Sequence, residues 1–288
     1  MKKLNLITSI ILLLSTLCLG QNSPALKQEK LVSNDHLILT ILYNNVSMAD
    51  SIIADNGFSC LIESGGNTCL FDAGRNPEKL ILNMDRLKAY YLDIDQIFIS
   101  HIHDDHMGGL QEVLARSKKP VLHMPYSYPQ LIGEPPSGRA DSDWLTLLDQ
   151  YKPMVSELIR KKEPVAVGNI GYSTGMIEDI TCEQSLIIPT SKGLVIITGC
   201  AHPGIVRIVK HAKTFMNQDV YLVLGGFHLA STDQVEVNNI AQELRKLTKL
   251  IGPCHCTGEK AMKIFHNVFK EDYIDIKAGV KIRISNSN

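Results

Sequence analysis

The sequence has almost no surplus charge. Its 29 basic and 30 acidic side chains leave a net charge of −1 over 288 residues. No field is left to hold a polyanion, which argues against nucleic acid or an anionic membrane as main partner and favours a small-molecule substrate. Long apolar runs are missing after the first twenty residues, so no later segment reaches the roughly 20 apolar residues that a membrane span needs. Internal repeats are absent, tryptophan occurs once, at Trp144, and the cysteines show none of the spacing that staples small secreted domains. What remains is an ordinary globular composition, 44% hydrophobic, enough for a core of one large domain or two small ones.

The first twenty residues are the exception. Lys2 and Lys3 precede an apolar run over residues 4–19, and small residues follow, the pattern of a secretory signal peptide. Cleavage after Gly20 would make Gln21 the first mature residue and place the protein in the periplasm or outside the cell, with no stable membrane insertion once the signal is gone. Lipid attachment through Cys18 fits less well, because Leu17 before it is large, and the run is short for a retained anchor. Cys60, Cys69, Cys182, Cys200, Cys254 and Cys256 stay in the mature chain, their pairing open.

Residues 21–36 are polar and aperiodic, a linker, and the folded domain is expected over 37–288. Short apolar runs at 37–43, 58–62 and 68–71 read as strands, the last two joined by the turn Ser64-Gly65-Gly66-Asn67. Asn76-Pro77 caps a helix in which Leu80, Met84, Leu87 and Tyr91 recur at helical spacing. Residues 96–100 form a strand ending in His101-Ile102-His103-Asp104-Asp105-His106-Met107-Gly108-Gly109, followed by a helix over 110–116. Residues 125–168 have weak periodicity, with Pro135-Pro136 and Gly138-Arg139, and read as an insertion or lid. A hairpin at 185–198, a helix at 204–216, a strand at 220–224, a helix near 237–244, a strand at 250–255 and an alternating stretch at 277–284 complete a second half of similar rhythm.

His101, His103, Asp105 and His106 put four ligand-type side chains within six residues. Packed together they are costly to bury without a cation, and a loop after a strand lets alternate residues reach different sides of one cavity. Gly108 and Gly109 are expected to let the backbone run close to the ions.

The pattern His101-x-His103-x-Asp105-His106, with Phe71-Asp72-Ala73-Gly74 before it and His202 and His255 after it, resembles the metallo-β-lactamase superfamily over roughly residues 37–284. Glu183-Gln184-Ser185-Leu186, Gly199-Cys200-Ala201-His202-Pro203-Gly204, Gly225-Gly226-Phe227-His228-Leu229 and His255-Cys256-Thr257-Gly258 are similar to its branch of dihydropterin ribofuranosylaminobenzene-phosphate synthases. The resemblance implies an α/β fold, a four-layer αββα sandwich. It implies one metal held by His101, His103 and His202, a second held by Asp105, His106 and His255, and Asp72 as a hydrogen-bond partner of the ligating imidazoles. The superfamily usually has a bridging Asp where this sequence has His228, so His228 either binds one metal alone or faces substrate, and the count stays at one or two divalent ions. Zinc is the expected ion, although iron and manganese suit such a donor set. Cys200, Cys254 and Cys256 read as packing, with thiolate ligation the alternative. His36, His123, His211 and His266 lack ligand-type neighbours and read as surface or core.

The function implied is hydrolysis by a metal-activated hydroxide, with a phosphoester or phosphodiester small molecule as substrate. Asp105 would orient the nucleophile and His228 would donate a proton or stabilise charge. A synthase-type transferase and a non-catalytic metal-dependent binding protein are the competing readings.

Overall fold

Strand alternation builds two sheets that share one core. The computed structural model describes residues 36–126, 141–177, 179 and 181–285, so the expected signal segment, nearly all of the expected linker and residues 127–140 of the expected lid lie outside the described residues. The first sheet begins with β1 (His36–Tyr43), β2 (Ser59–Ser64) and β3 (Asn67–Phe71). Helix α1 (Pro77–Leu87) leads to β4 (Gln96–Phe98), then α2 (Asp104–Met107), α3 (Leu110–Arg116) and β5 (Val121–His123). Helix α4 (Asp141–Tyr151) and β6 (Glu157–Ile159) follow.

The second sheet takes β7 (Ala166–Val167), β8 (Gly171–Ser173), β9 (Leu186–Thr190) and β10 (Gly193–Thr198), then α5 (Ile205–Met216) and β11 (Val220–Gly226). Helix α6 (Gln234–Arg245), β12 (Thr248–Cys254), α7 (Glu259–Phe269) and β13 (Lys281–Ser285) end the fold, β13 returning to the edge of the first sheet. The sheet orders are β13-β1-β2-β3-β4-β5-β6 and β12-β11-β10-β9-β8-β7.

Side chains alternate along a strand, and here each set of alternate residues finds its own core. Leu37, Leu39, Ile41, Cys60, Ile62 and Phe71 of the first sheet pack against Leu186, Ile188, Val195, Ile197, Leu222 and Leu224 of the second. The intervening residues Leu61, Leu70, Ile97 and Leu122 pack with Leu80 and Met84 of α1 and Leu110, Val113 and Leu114 of α3. On the outer side of the second sheet, Ile187, Leu194, Ile196 and Val223 meet Ile208 of α5, Val237 of α6 and Phe265 of α7. Helices, sheet, sheet, helices is the expected αββα order.

Local chemistry explains the ends of these elements. Asn76 caps α1 by accepting from Lys79 N–H at 3.0 Å, Pro77 starts the helix, and left-handed Lys88 ends it. Residues 141–168 do more than the lid expectation describes, because α4 stands among them and β6 and β7 extend an edge of each sheet. Strands of two or three residues are too short to show a period, which is why the sequence shows no pattern there. Among the described residues no helix is long and apolar enough to cross a membrane.

Candidate metal centre

The parallel strands of both sheets point their carboxyl ends at one place. The loop after β4 brings His101 and His103, and α2 brings Asp105 and His106. Cys200 and His202 follow β10, His228 follows β11, and His255 follows β12. Asp72, Ala201, His228 and His255 have left-handed backbones, with φ between 50° and 58°. Non-glycine residues adopt that conformation at a cost of order 1–3 kcal/mol and cluster at functional sites. All four stand where a strand has just ended and the chain must turn sharply.

The backs of the imidazoles are fixed by acceptors. Buried Asp72 takes His106 Nδ1 at 2.7 Å on Oδ2, Ser100 Oγ at 2.8 Å on the same oxygen, and Ser100 N–H at 2.7 Å on Oδ1. Since Ser100 spends its proton on Asp72, its oxygen accepts from His101 Nδ1 at 2.9 Å. Glu183 takes His202 Nδ1 at 2.8 Å, together with the backbone N–H groups of Cys200, Ala201 and His202. Asn45 Oδ1 takes His255 Nδ1 at 2.8 Å. His101, His106, His202 and His255 therefore all carry their proton on Nδ1 and present Nε2 as a lone pair.

Those lone pairs converge. His106 Nε2 lies 3.1 Å from His255 Nε2, and His101 Nε2 lies 3.1 Å from His103 Nδ1. Two bare lone pairs at 3.1 Å repel, so His106 and His255 need a proton or a metal ion between them. Asp105 flanks that pair, with Oδ2 at 3.4 Å from His255 Nε2 and Oδ1 at 3.9 Å from His106 Nε2. Donor types, fixed tautomers and converging nitrogens all fit one or two divalent ions.

The electrostatics agree. Burial works to lower His106, but the Asp72 carboxylate outweighs it and raises the imidazole to about 9, so a proton takes the bridging place when no ion does. Burial, then the neighbouring imidazoles, hold His101 well below the ordinary histidine value and His103 down at about 4. Burial raises Asp72 against the pull of His106 and Ser100. In Glu183 burial is outweighed by His202 and the backbone donors, which hold the carboxyl below its usual range.

The structure brings together His101, His103, Asp105, His106, His202 and His255, and it places Asp72 behind His106 and, through Ser100, behind His101. His228 stands at the exposed rim of the cluster, with its ring centroid 4.4 Å from that of His202. It lines a groove of about 580 Å³ bounded also by Ile205, Arg207 and Lys210 of α5, Phe227, and Glu243 of α6. The placement suits both roles open to His228, since it lines the groove and its ring nitrogen also lies within 4.8 Å of the Cys200 and Cys256 sulfurs.

Two expectations need correcting. Gly108 and Gly109 serve the backbone of residues 73–75 rather than the ions, since a Cβ on Gly108 would sit 2.0 Å from Arg75 O and one on Gly109 2.5 Å from Ala73 O. Cys200 is not mere packing, because its Sγ lies 3.2 Å from His106 Nε2 within the donor cluster. Cys254 does lie in the core between the sheets. Glu183, Ser100 and Asn45 received no role from the sequence. The motif Glu183-Gln184-Ser185-Leu186 was visible, but nothing in its spacing ties it to His202, and Asn45 lies in a loop remote in sequence from His255.

Comparison with known proteins places this geometry. The model of the anti-Pycsar protein Apyc1 family matches residues 41–132, which include the histidine cluster. The 7,8-dihydropterin-6-methyl-4-(beta-D-ribofuranosyl)-aminobenzene-5'-phosphate synthase of Methanocaldococcus jannaschii is 31% identical over 265 residues, covering 80% of this chain and 90% of the relative. Among solved structures, Tm1679, a metal-dependent hydrolase of the beta-lactamase superfamily, is 27% identical with a TM-score of 0.69, covering 87% of this chain and 100% of the other. A diphosphatase of the PhnP family shares the fold at 14% identity and a TM-score of 0.56, covering 86% of this chain and 97% of its own. With relatedness running across most of both chains and the same sandwich underneath, this protein belongs to the metallo-β-lactamase superfamily, in the branch of the dihydropterin synthase-like relative.

Proposed function

We propose that this chain is an exported metal-dependent hydrolase acting on a phosphoester or phosphodiester small molecule. The observation that carries the reading is the set of four imidazoles whose tautomers are fixed from behind and whose Nε2 lone pairs turn into one space. His101, His103 and His202 would hold one divalent ion, and Asp105, His106 and His255 the other, with zinc the expected metal. Bound ions supply Lewis acidity and lower the pKa of water from 15.7 towards about 7.

The rest falls to the chain's own residues. Asp105, held by Asn56 Nδ2 at 3.1 Å, offers an oxygen at the edge of the donor cluster to orient an attacking water. His228 stands between that cluster and the groove, where its imidazole can give a proton to a leaving oxygen. The groove wall carries both signs, Arg207 and Lys210 with Glu236 and Glu243, and Lys210 is paired with Glu243, so the metal positions and His228 are what would hold a phosphate. The synthase relative is named for a product that bears a 5'-phosphate, which favours the same substrate chemistry.

The test is a preparation starting at Gln21, loaded with zinc, counted by elemental analysis and assayed on chromogenic phosphodiester and carboxylic ester substrates. Two ions per chain and phosphodiesterase activity that His101→Ala abolishes are expected. Metal binding with ester cleavage alone would overturn the substrate class, and no metal after reconstitution would overturn the whole reading. Export is tested by the amino terminus of the protein recovered outside the cytoplasm, expected at Gln21. The 31% identity to a synthase favours a second reading, a transferase that joins a pterin to a ribosylated aminobenzene phosphate. The same preparation given those two precursors would form the coupled product under that reading and none under the first.

A further inference from the structure

We propose that the Cys200 thiolate is the ligand shared by the two metal positions. This rests on the reading of the cluster as a metal centre and adds its central donor. Among the described residues three sets of ligand atoms each gather within 4.8 Å of one another, His101 with His202, His106 with His255, and His228 with Cys256, and the Cys200 sulfur belongs to all three. Its distance of 3.2 Å from His106 Nε2 is close to the separation of two ligands of one tetrahedral ion, about 3.3 to 3.6 Å from the usual zinc bond lengths.

The sulfur is held in place. Glu183 Oε1 accepts the Cys200 N–H at 3.0 Å and the Ala201 N–H at 2.8 Å, so the carboxylate that aims His202 also sets the turn carrying Cys200. Ala201 completes that turn with φ of 58°. The side chain is buried, and it faces donors rather than the apolar residues around Cys254.

Chemistry selects sulfur for the shared place. A thiolate has several lone pairs on one atom and can bind two ions at once, whereas the neutral imidazole of His228 has a single lone pair to offer and stands at the exposed rim of the cluster. Asp105, the carboxylate of the cluster, is placed against His106 and His255. Ligation replaces the S–H bond by bonds to metal and releases one proton to solvent. Cys256 is the competing sulfur, since it lies within 4.8 Å of Cys200 and His228, but its Sγ points to Cys200 O at 3.8 Å.

The test uses the chain from Gln21 loaded with cobalt(II), read by its thiolate-to-cobalt band in the near ultraviolet, and with zinc, read by X-ray absorption. Two ions per chain, the cobalt band and a sulfur shell at about 2.3 Å with roughly one sulfur per zinc are expected. Cys200→Ser should lose band and shell, and Cys256→Ser should keep both. The proposal is overturned by two bound ions with only nitrogen and oxygen neighbours, by a band that survives Cys200→Ser, by a single bound ion, or by roughly one sulfur for every two zinc ions, which would make the cysteine a terminal ligand. A chain that binds no cobalt overturns the metal-centre reading itself, so the two failures are distinct. The unsubstituted protein carries the spectrum, so poor folding of a variant does not protect the proposal.

Discussion

Asp72 and His106 face each other at 2.7 Å, both fully buried, and the same carboxylate reaches His101 through Ser100. One residue outside the donor cluster thus sets the tautomer of an imidazole in each proposed metal position. Asp72→Asn keeps the shape but can offer an N–H where His106 needs an acceptor. Metal affinity in both positions is expected to fall about 10- to 100-fold, measured by competition with a chromogenic chelator. Loss from one position alone would show that the Ser100 relay does not matter.

Glu183 is the counterpart on the second sheet. It accepts from His202 Nδ1 and from three successive backbone N–H groups, those of Cys200 and Ala201 buried and that of His202 partly so. Glu183→Ala would leave those donors unsatisfied, at roughly 1–3 kcal/mol each before relaxation. The variant is expected to unfold at lower denaturant and to bind metal weakly, whereas Glu183→Gln should recover much of the stability and little of the affinity. Equal recovery of both would mean that the charge on Glu183 plays no part in aiming His202.

Gly199 allows the two sheets to meet at the site. A Cβ there would lie 2.1 Å from Ser100 Oγ and 3.0 Å from His101 Nδ1. Gly199→Ala must therefore displace the hydroxyl that links Asp72 to His101. The expected result is a folded protein, by circular dichroism, with lowered affinity in the position that uses His101; unchanged affinity would mean that Ser100 is not needed to hold the ring.

How legible all this is from sequence depends on distance along the chain. His101, His103, Asp105 and His106 stand out because they lie within six residues of one another, and the near-continuous apolar runs at residues 37–43 and 194–198 mark strands buried on both faces. The supports of the site are harder to see. Glu183 lies 19 positions from His202 and Asn45 lies 210 from His255, so only folding brings them together. Cys200 looks like any buried cysteine until the two histidine groups close around it. Helix α7 has no counterpart in the sequence expectations, although Ala261, Phe265 and Phe269 recur every four residues. The strands β5 to β8, with two or three residues each, carry no readable signal.

His123 gives a pH dependence that no metal enters. It is buried at the end of β5, its Nε2 donates to Gln96 Oε1 at 2.9 Å, and its Nδ1 has no partner among the described residues. A proton on Nδ1 would be a buried charge without an acceptor, and burial pushes the imidazole down to about 4 from its ordinary 6.5. The unfolded chain then binds more protons than the folded one between those values. Its contribution is fully present above pH 6.5 and is lost as pH falls through 4, about 3 kcal/mol by pH 4. Other buried histidines titrate in the same window, so the measurement is a difference. Urea unfolding of the native protein and of His123→Gln at pH 7 and pH 4 should show the native protein losing about 3 kcal/mol more than the variant. Parallel losses would mean that His123 gains a partner or water on acidification and carries no acid lability.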